Sequence, residues 1–548
     1  MQMAQKWLAQ KDNQLVVFWL IGGLLFRGMI AFWLYPGFDE TYYYVYSQNL
    51  DWSYFDHPVL VALITGFGPW LTGEVSQFTI RLGTLILHTG SLLLLYLTSA
   101  KLFSKKAARL TLAIASISPI FLIAFGILTL PDSPLMFFWS ASLYCATCEF
   151  FGQSQPSEAS NSLSYRPSYR LAILSILVGL SCLGKYHGFV LGLGLVTFCL
   201  ISPPHRCVFR SPWSWLGLGL FVFTIFPLWF WNMQNDWVSL RFQSERGVPR
   251  RSYNVLNVVA IFFVQVAYLF PTLGFPLWWV SLQPVRKAIA KVFSKKLPTT
   301  EEIFKQKQLL ILSVSLPIIF GFTFIAGYQQ VLPAWPMPGF WGITLLLGQQ
   351  ATSWQKRSHR WVKRWLNGST IVIGTALLLA LLHVTTGTLQ KPSQYALLGG
   401  FVSPKDDPST ELIDIQQLRR GFVESPVLST ALENSRFIFT NGYYLGGSIG
   451  MALMPTFHKP ITCFSLDMRG FAFWSRPDQW LGKDALYVTI FRFHRKKELT
   501  AEFRGYFSSL EEIGTVPIRR GGAVTEVFYV YQAKTLLKPY PRIYGLRG

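Results

Sequence analysis

Acidic residues are scarce in this sequence, and one segment gathers several of them. YPGFDETYYYVYSQNLDWSYFDHPVL, inside residues 35–81, holds Asp39, Glu40, Asp51, Asp56 and His57 among Tyr42, Tyr43, Tyr44, Tyr46, Trp52, Tyr54 and Phe55. Such aromatic density marks a segment lying at a membrane–water interface. A carboxylate held there loses hydration, which raises its basicity and suits it to general-base or metal work. The plain alternative is a solvated acidic loop, and the aromatic residues weigh against it. Asp132 is a second signal: in LTLPDSPLMFFW it stands between Pro131 and Pro134, which fix a tight turn. Its competing role is a helix cap. The third signal is positive charge. Lys185, in CLGKYHG, interrupts two apolar runs, and Arg241, Arg246, Arg250 and Arg251 form a basic loop. Arg matches phosphate with a bidentate fork and Lys acts as a point charge. Contact with lipid headgroups is the bland reading, strongest for Arg250 and Arg251. Acids and phosphate-binding cations on one side of a membrane point to a reaction on a lipid-linked phosphate. The phosphate leaves, and a carboxylate takes the proton of an acceptor hydroxyl.

The elements that must position these groups are membrane helices. Of the 548 residues 51% are hydrophobic and only 14% charged, against about 25% charged in ordinary soluble domains. Lys and Arg number 49 against 27 Asp and Glu, a net +22. In a soluble chain that balance would suggest nucleic acid. Here the basic residues belong at cytoplasmic helix ends near anionic lipid, and no nucleic-acid partner is expected. A span needs about 20 apolar residues. Candidates are 15–34, 82–100, 110–128, 134–151, 171–183, 186–202, 213–231, 254–281, 309–327, 335–350 and 367–386, about eleven spans in all. The first run is too long for a signal peptide and lacks a small-residue cleavage site. With Lys6 and Lys11 inside, alternate loops carry Lys101 to Arg109, Arg166 and Arg170, Arg206 and Arg210, the Arg286–Lys307 cluster and Lys356 to Arg364. That bias sets the orientation and turns the loop 35–81 outward. Cys145 and Cys148 form a C-x-x-C in an apolar run, where helix packing is favoured over zinc or redox chemistry. Residues 387–548 change texture: FIFT at 437–440, ITCFSL at 461–466, ALYVTI at 485–490 and VTEVFYVYQA at 524–533 read as strands. The expected organisation is a transmembrane domain over 1–386, with its catalytic outer loop 35–81, and a soluble α/β domain over 387–548. The latter lies outside the cytoplasm of a plasma (inner) membrane protein.

These motifs resemble those of bacterial membrane glycosyltransferases related to protein O-mannosyltransferases and to the lipid A aminoarabinose transferase. FDETYYYVYSQNLDWSYFDHP, LTLPDSPLMFFW, LSCLGKYHGFVL, PLWFWNMQNDWVSLRFQSERG and LPAWPMPGF carry the likeness, in this order, across roughly residues 15–350. The resemblance implies the GT-C fold and a polyprenyl-phosphate-linked sugar as donor. It also implies inverting transfer to a hydroxyl acceptor at the outer face of the membrane. By motif, Asp39 would be the catalytic base with Glu40 beside it, and Asp132 the second family acid. Asp56 and His57 would shape the acceptor side. Lys185 and Arg246 would meet the phosphate, with Arg241 and Trp335 in the same substrate region. Glu40 and Asp132 keep two readings, orienting the acceptor or holding a divalent metal ion; Asp39 is the third candidate ligand for such an ion, the one cofactor the site residues leave open. Two departures stand out: Val59 follows Pro58 where the family often has a second proline, and Ala334 precedes Trp335 where it often has Asn. Protein mannosylation is therefore not implied. The competing class is a transporter or flippase of a lipid-linked sugar that uses the acids as a proton relay.

Overall fold

The computed structural model describes residues 11–152, 165–246, 248, 252–291 and 299–541. Lys6, Arg250, Arg251 and part of the Arg286–Lys307 cluster lie outside the described residues. In chain order, α1 (Lys11–Trp33) is followed by two helices inside the segment 35–81, α2 (Phe38–Gln48) and α3 (Leu60–Thr72). Next come α4 (Leu82–Leu102), α5 (Lys105–Ile117), the short α6 (Pro119–Ile123) and α7 (Asp132–Phe151). They lead to α8 (Arg170–Gly184), α9 (Gly188–Ile201), α10 (Pro212–Thr224), α11 (Phe226–Gln234) and α12 (Val238–Glu245). The helical part closes with α13 (Val255–Leu269), α14 (Pro271–Lys291), α15 (Thr299–Ile325), α16 (Met337–Arg357) and α17 (His359–Thr386).

The chain is a helical membrane protein. Among the described residues, four helices are long and apolar enough to cross a bilayer, at Asn13–Trp33, Thr79–Leu102, Ile303–Ile325 and His359–Thr386, or up to seven spans if each bent pair counts as one. The run 254–281, expected as a single span, is two helices meeting at 120°. Phe270 turns the backbone to φ 72°, and Pro271, with no N–H to offer α13, opens α14 instead. Cys145 and Cys148 both sit within α7 as free thiols. α17 ends where Gly387 adopts φ 73° and donates its N–H to the His383 carbonyl at 2.8 Å, a left-handed stop that glycine reaches without strain.

Beyond Gly387 the chain builds α18 (Ile415–Val423), α19 (Pro426–Asn434) and a five-stranded sheet. Its strands are β1 (Phe437–Thr440), β2 (Ile461–Cys463), β3 (Ala485–Ile490), β4 (Phe507–Arg520) and β5 (Ala523–Leu536) in the order β2-β1-β3-β5-β4. β1 pairs parallel with β2 and β3, whereas β5 pairs antiparallel with β3 and β4. All six residues of the central β3 are buried. β4 was not anticipated: its charges and Pro517 read poorly as a strand, and it occupies the sheet edge, where Pro is tolerated. Gly521 and Gly522, at φ 56° and 84°, make the tight turn to β5.

Two more helices, α20 (Tyr443–Phe457) after β1 and α21 (Phe471–Trp474) after β2, face the membrane part. Tyr42 through Tyr46 of α2 belong to the same hydrophobic core as Leu418, Leu445, Ile449, Leu486 and Val530. A Cβ on Gly447 would lie 2.6 Å from the Tyr42 backbone nitrogen, so only glycine lets α20 approach α2 this closely. Tyr and Val lose a few tenths of a kcal/mol each as helix formers. Burial of each large side chain contributes roughly 1.5–3 kcal/mol, so tertiary packing decides that FDETYYYVYSQ is a helix. This clamp presents the first turn of α2 to the space between α8, α12 and the sheet-bearing part.

Candidate active site

Four acids reach the site region, and their partners separate them. Glu40 is buried and forms a two-pronged ion pair with Arg81, Nε to Oε1 at 2.8 Å and Nη2 to Oε2 at 2.6 Å. The backbone N–H groups of Thr129 and Gly37 also donate to it, each at 3.0 Å. Arg81 spends its remaining donors on the carbonyls of Ala31, Leu34 and Tyr35 at the end of α1, at 2.9, 2.6 and 3.2 Å. Asp132 opens α7 and takes both hydrogen bonds of a buried ion pair with Lys185, at 2.9 and 2.8 Å. Asp56 accepts from the Tyr46 hydroxyl on one oxygen and from Arg469 Nη1 at 3.2 Å on the other. Its backbone carbonyl accepts from Gln243 Nε2 at 2.6 Å.

Asp39 is the exception. Its carboxylate makes no hydrogen bond or ion pair among the described residues. The side chain keeps partial solvent access but is ringed by protein. Burial pushes its pKa up to about 6; the like charges of Asp56 and Glu40 add to the rise, and Arg469 and Lys185 oppose it. A carboxyl tuned to that range ionises at neutral pH and still holds a proton well enough to act as a general base.

The cations divide in the same way. Lys185 is committed to Asp132. Arg246 makes no hydrogen bond or ion pair among the described residues and lies over the rings of Phe242, at 4.2 Å, and Trp335, at 5.9 Å. Burial lowers its pKa, while Asp56 favours its charge. Arg241 is exposed and enters none of these contacts. His57 packs edge-on against Tyr43 at 5.7 Å, and its Nδ1 is buried with no partner among the described residues. Burial, with Lys185, Arg246 and Arg469 nearby, holds the His57 imidazole neutral, well below its ordinary pKa. The region therefore brings together Asp39, Asp56, His57, Lys185, Arg246 and Trp335, and leaves Arg241 outside.

As a metal site the region fits poorly. Among the described residues no group of three or more His, Cys, Asp or Glu is placed to hold an ion. Two of the three acids considered for metal, Glu40 and Asp132, are each neutralised by a cation. Sequence reading missed Arg81 and Arg469 as partners of these acids. Arg81 lies 41 positions from Glu40 and Arg469 413 from Asp56, and neither carried a local periodicity. The signal at hand was a lone cation in the aromatic run MRGFAFW.

Residues 56–231 match the PMT_2 sequence family, described as dolichyl-phosphate-mannose-protein mannosyltransferase. Over 321 residues the chain is 22% identical to the lipid A galacturonosyltransferase RgtD of Rhizobium johnstonii, covering 56% of this chain and 59% of that protein. Over 172 residues it is 26% identical to the undecaprenyl phosphate-alpha-4-amino-4-deoxy-L-arabinose arabinosyl transferase of Erwinia tasmaniensis, covering 31% of this chain and 27% of that one. The match thus spans less than two thirds of either curated relative. The crystal structure of ArnT from Cupriavidus metallidurans bound to undecaprenyl phosphate superposes with a TM-score of 0.59 at 14% identity, covering 94% of this chain and 98% of that one. The class is therefore a membrane protein of the GT-C fold. Within it, residues 56–231 match the PMT_2 family, and the chain is similar to RgtD in sequence and to ArnT in fold.

Proposed function

We propose that this protein transfers a sugar from a polyprenyl-phosphate donor to a hydroxyl acceptor, with inversion, and that Asp39 is the base. The observation that carries this reading is that, of the four acids at the site, Asp39 alone has a carboxylate without a partner among the described residues, and its pKa is pushed up to about 6. Asp39 takes the proton of the acceptor hydroxyl as its oxygen bonds to the anomeric carbon. The bond from that carbon to the phosphate oxygen breaks, and the phosphate leaves with the electron pair. Arg246, held by Phe242 and Trp335 without a carboxylate of its own, meets the charge that develops on the leaving group. Glu40 with Arg81, and Asp132 with Lys185, hold the backbone around the base; Asp56 and His57 line the acceptor side. An apolar groove of about 460 Å³ between α8, α9 and α10, lined by Leu174, Val178, Val196, Leu218 and Phe221, suits the prenyl tail. The test is purified protein with a labelled polyprenyl-phosphate sugar and a panel of lipid, glycan and peptide hydroxyl acceptors. Label appearing on an acceptor supports the reading. Donor carried across vesicles with no label transferred would favour the transporter class.

The Arg246→Ala variant should bind donor about tenfold or more weakly, because a charge-assisted contact is worth roughly 1.5–3 kcal/mol. Titration with the donor lipid reads this directly, and unchanged affinity would assign Arg246 to lipid headgroups. Lys185→Ala is a poorer probe, since it strands the buried Asp132 charge.

Our reading keeps about eleven crossings, as the apolar runs suggest, which would put residues 387–548 outside the cytoplasm. An alkaline phosphatase fusion after residue 390 should be active in a bacterial host, and a fluorescent-protein fusion there dark. The opposite pair of results would reverse the parity.

A further inference from the structure

The segment after β2 leaves the sheet and returns over the membrane part. Gly470 donates its N–H to the Tyr42 hydroxyl at 2.8 Å, and a Cβ there would come within 2.6 Å of Trp474. Trp474 lies edge-on to Tyr46 at 5.4 Å, Phe471 tilts against Tyr42 at 5.9 Å, and Phe473 meets Trp231 of α11 at 5.2 Å. These contacts fix the strap on both sides of the site. At its head stands Arg469, a non-glycine residue held at φ 46°. Left-handed backbone of this kind is strained for a non-glycine residue and persists where the surroundings over-determine it.

Its surroundings do so. The guanidinium lies over the Tyr443 ring of α20 at 3.8 Å and 5.9 Å from the Phe242 ring, and it bonds Asp56 at 3.2 Å and Asp467 at 3.3 Å. Asp56 in turn is a neighbour whose charge acts on Asp39. The charged groups facing Asp39 are Asp56, Glu40, Arg469 and Lys185, with Tyr43 and Tyr443 also in range. Glu40 and Lys185 are balanced by Arg81 and Asp132, partners of their own. Of these three ion pairs, Asp56–Arg469 joins the outer segment to the sheet-bearing part.

Resting on the transfer reading above, we infer that Arg469 is a positioning residue of the reaction. It fixes Asp56 and sets the charge around Asp39, so the sheet-bearing part completes the catalytic centre. Loss of the Arg469 charge leaves Asp56 uncompensated beside Asp39. Both changes favour the protonated carboxyl, so the base ionises at higher pH. Removing the Asp56 charge acts in the opposite sense, because Arg469 then faces Asp39 unopposed.

The experiment is the pH profile of kcat for the purified full chain, alongside Arg469→Met, Arg469→Lys and Asp56→Asn. In the unaltered protein the acidic limb should lie near pH 6. Arg469→Met should move it upward by about one unit, a roughly tenfold loss of kcat on the acid side, with donor KM changed by less than about twofold. Arg469→Lys keeps the charge and should keep the limb; Asp56→Asn should move it downward. If Arg469→Met does not fold, the downward shift in Asp56→Asn and the unmoved limb in Arg469→Lys carry the test. An active protein whose limb stays in place in Asp56→Asn and Arg469→Met reduces the pair to a structural tie and overturns this inference alone. Absence of transfer by the unaltered protein overturns the transfer reading and this inference together.

Discussion

Asp39→Asn should lower kcat by a factor of about 10²–10⁴, the usual contribution of a general base, and leave donor binding intact. The amide keeps the size and shape of the side chain and loses only charge and basicity. No hydrogen bond among the described residues depends on that charge, so the fold does not need it. The pH profile of the unaltered protein follows from the same group. The base must be ionised, so the rate should fall as pH drops through about 6. A linked stability effect has a definite sign. A carboxyl whose pKa is higher in the folded state than its unfolded value near 4 costs stability once pH exceeds that value, and the full cost is present above 6. Asp39→Asn should therefore be at least as stable as the unaltered protein at pH 7. Single-turnover transfer and thermal unfolding on the same preparation read both quantities. Near-normal transfer by this variant would remove Asp39 from the mechanism.

How much of this was legible before the structure depends on what kind of signal each residue leaves. Composition carries the membrane helices, because a bilayer demands long apolar runs. FIFT, ITC, ALYVTI and the run through Tyr529 carry four strands, because buried β-branched and aromatic residues leave a local trace. Asp39 stood out as an acid among interfacial aromatics. What stayed hidden are the pairings. Lys185 and Asp132 lie 53 positions apart, Arg81 and Glu40 41, and Arg469 and Asp56 413. No local periodicity encodes such distances. Glu40 and Asp39 look equivalent as neighbours in sequence. One turns into a buried ion pair and the other toward the open site, because adjacent residues on a helix face different directions. The glycines of YYLGGSIG were an available clue to the close contact between α20 and α2, since small residues mark where backbones meet.

Glu40→Gln should destabilise the protein by about 3–5 kcal/mol, the usual cost of stranding one member of a buried ion pair. The stranded member is Arg81, fully buried. Its guanidinium would retain three carbonyl partners but no counter-charge. The reverse change, Arg81→Met, should cost a similar amount by a different route. It leaves Glu40 charged and buried, and it frees the Ala31, Leu34 and Tyr35 carbonyls at the end of α1. The double change to Glu40→Met with Arg81→Met should recover part of the loss, since no buried charge remains, but the three carbonyls still lack a donor. Thermal unfolding of the four proteins in one detergent measures the cycle. Equal stability of Glu40→Gln and the unaltered protein would show that the pair does not hold the site. The cycle also separates the two neighbouring acids by kind of effect. Glu40 variants should lose stability, with transfer falling as the folded fraction falls. Asp39→Asn should lose transfer while staying folded, because only its carboxylate is free to take a proton.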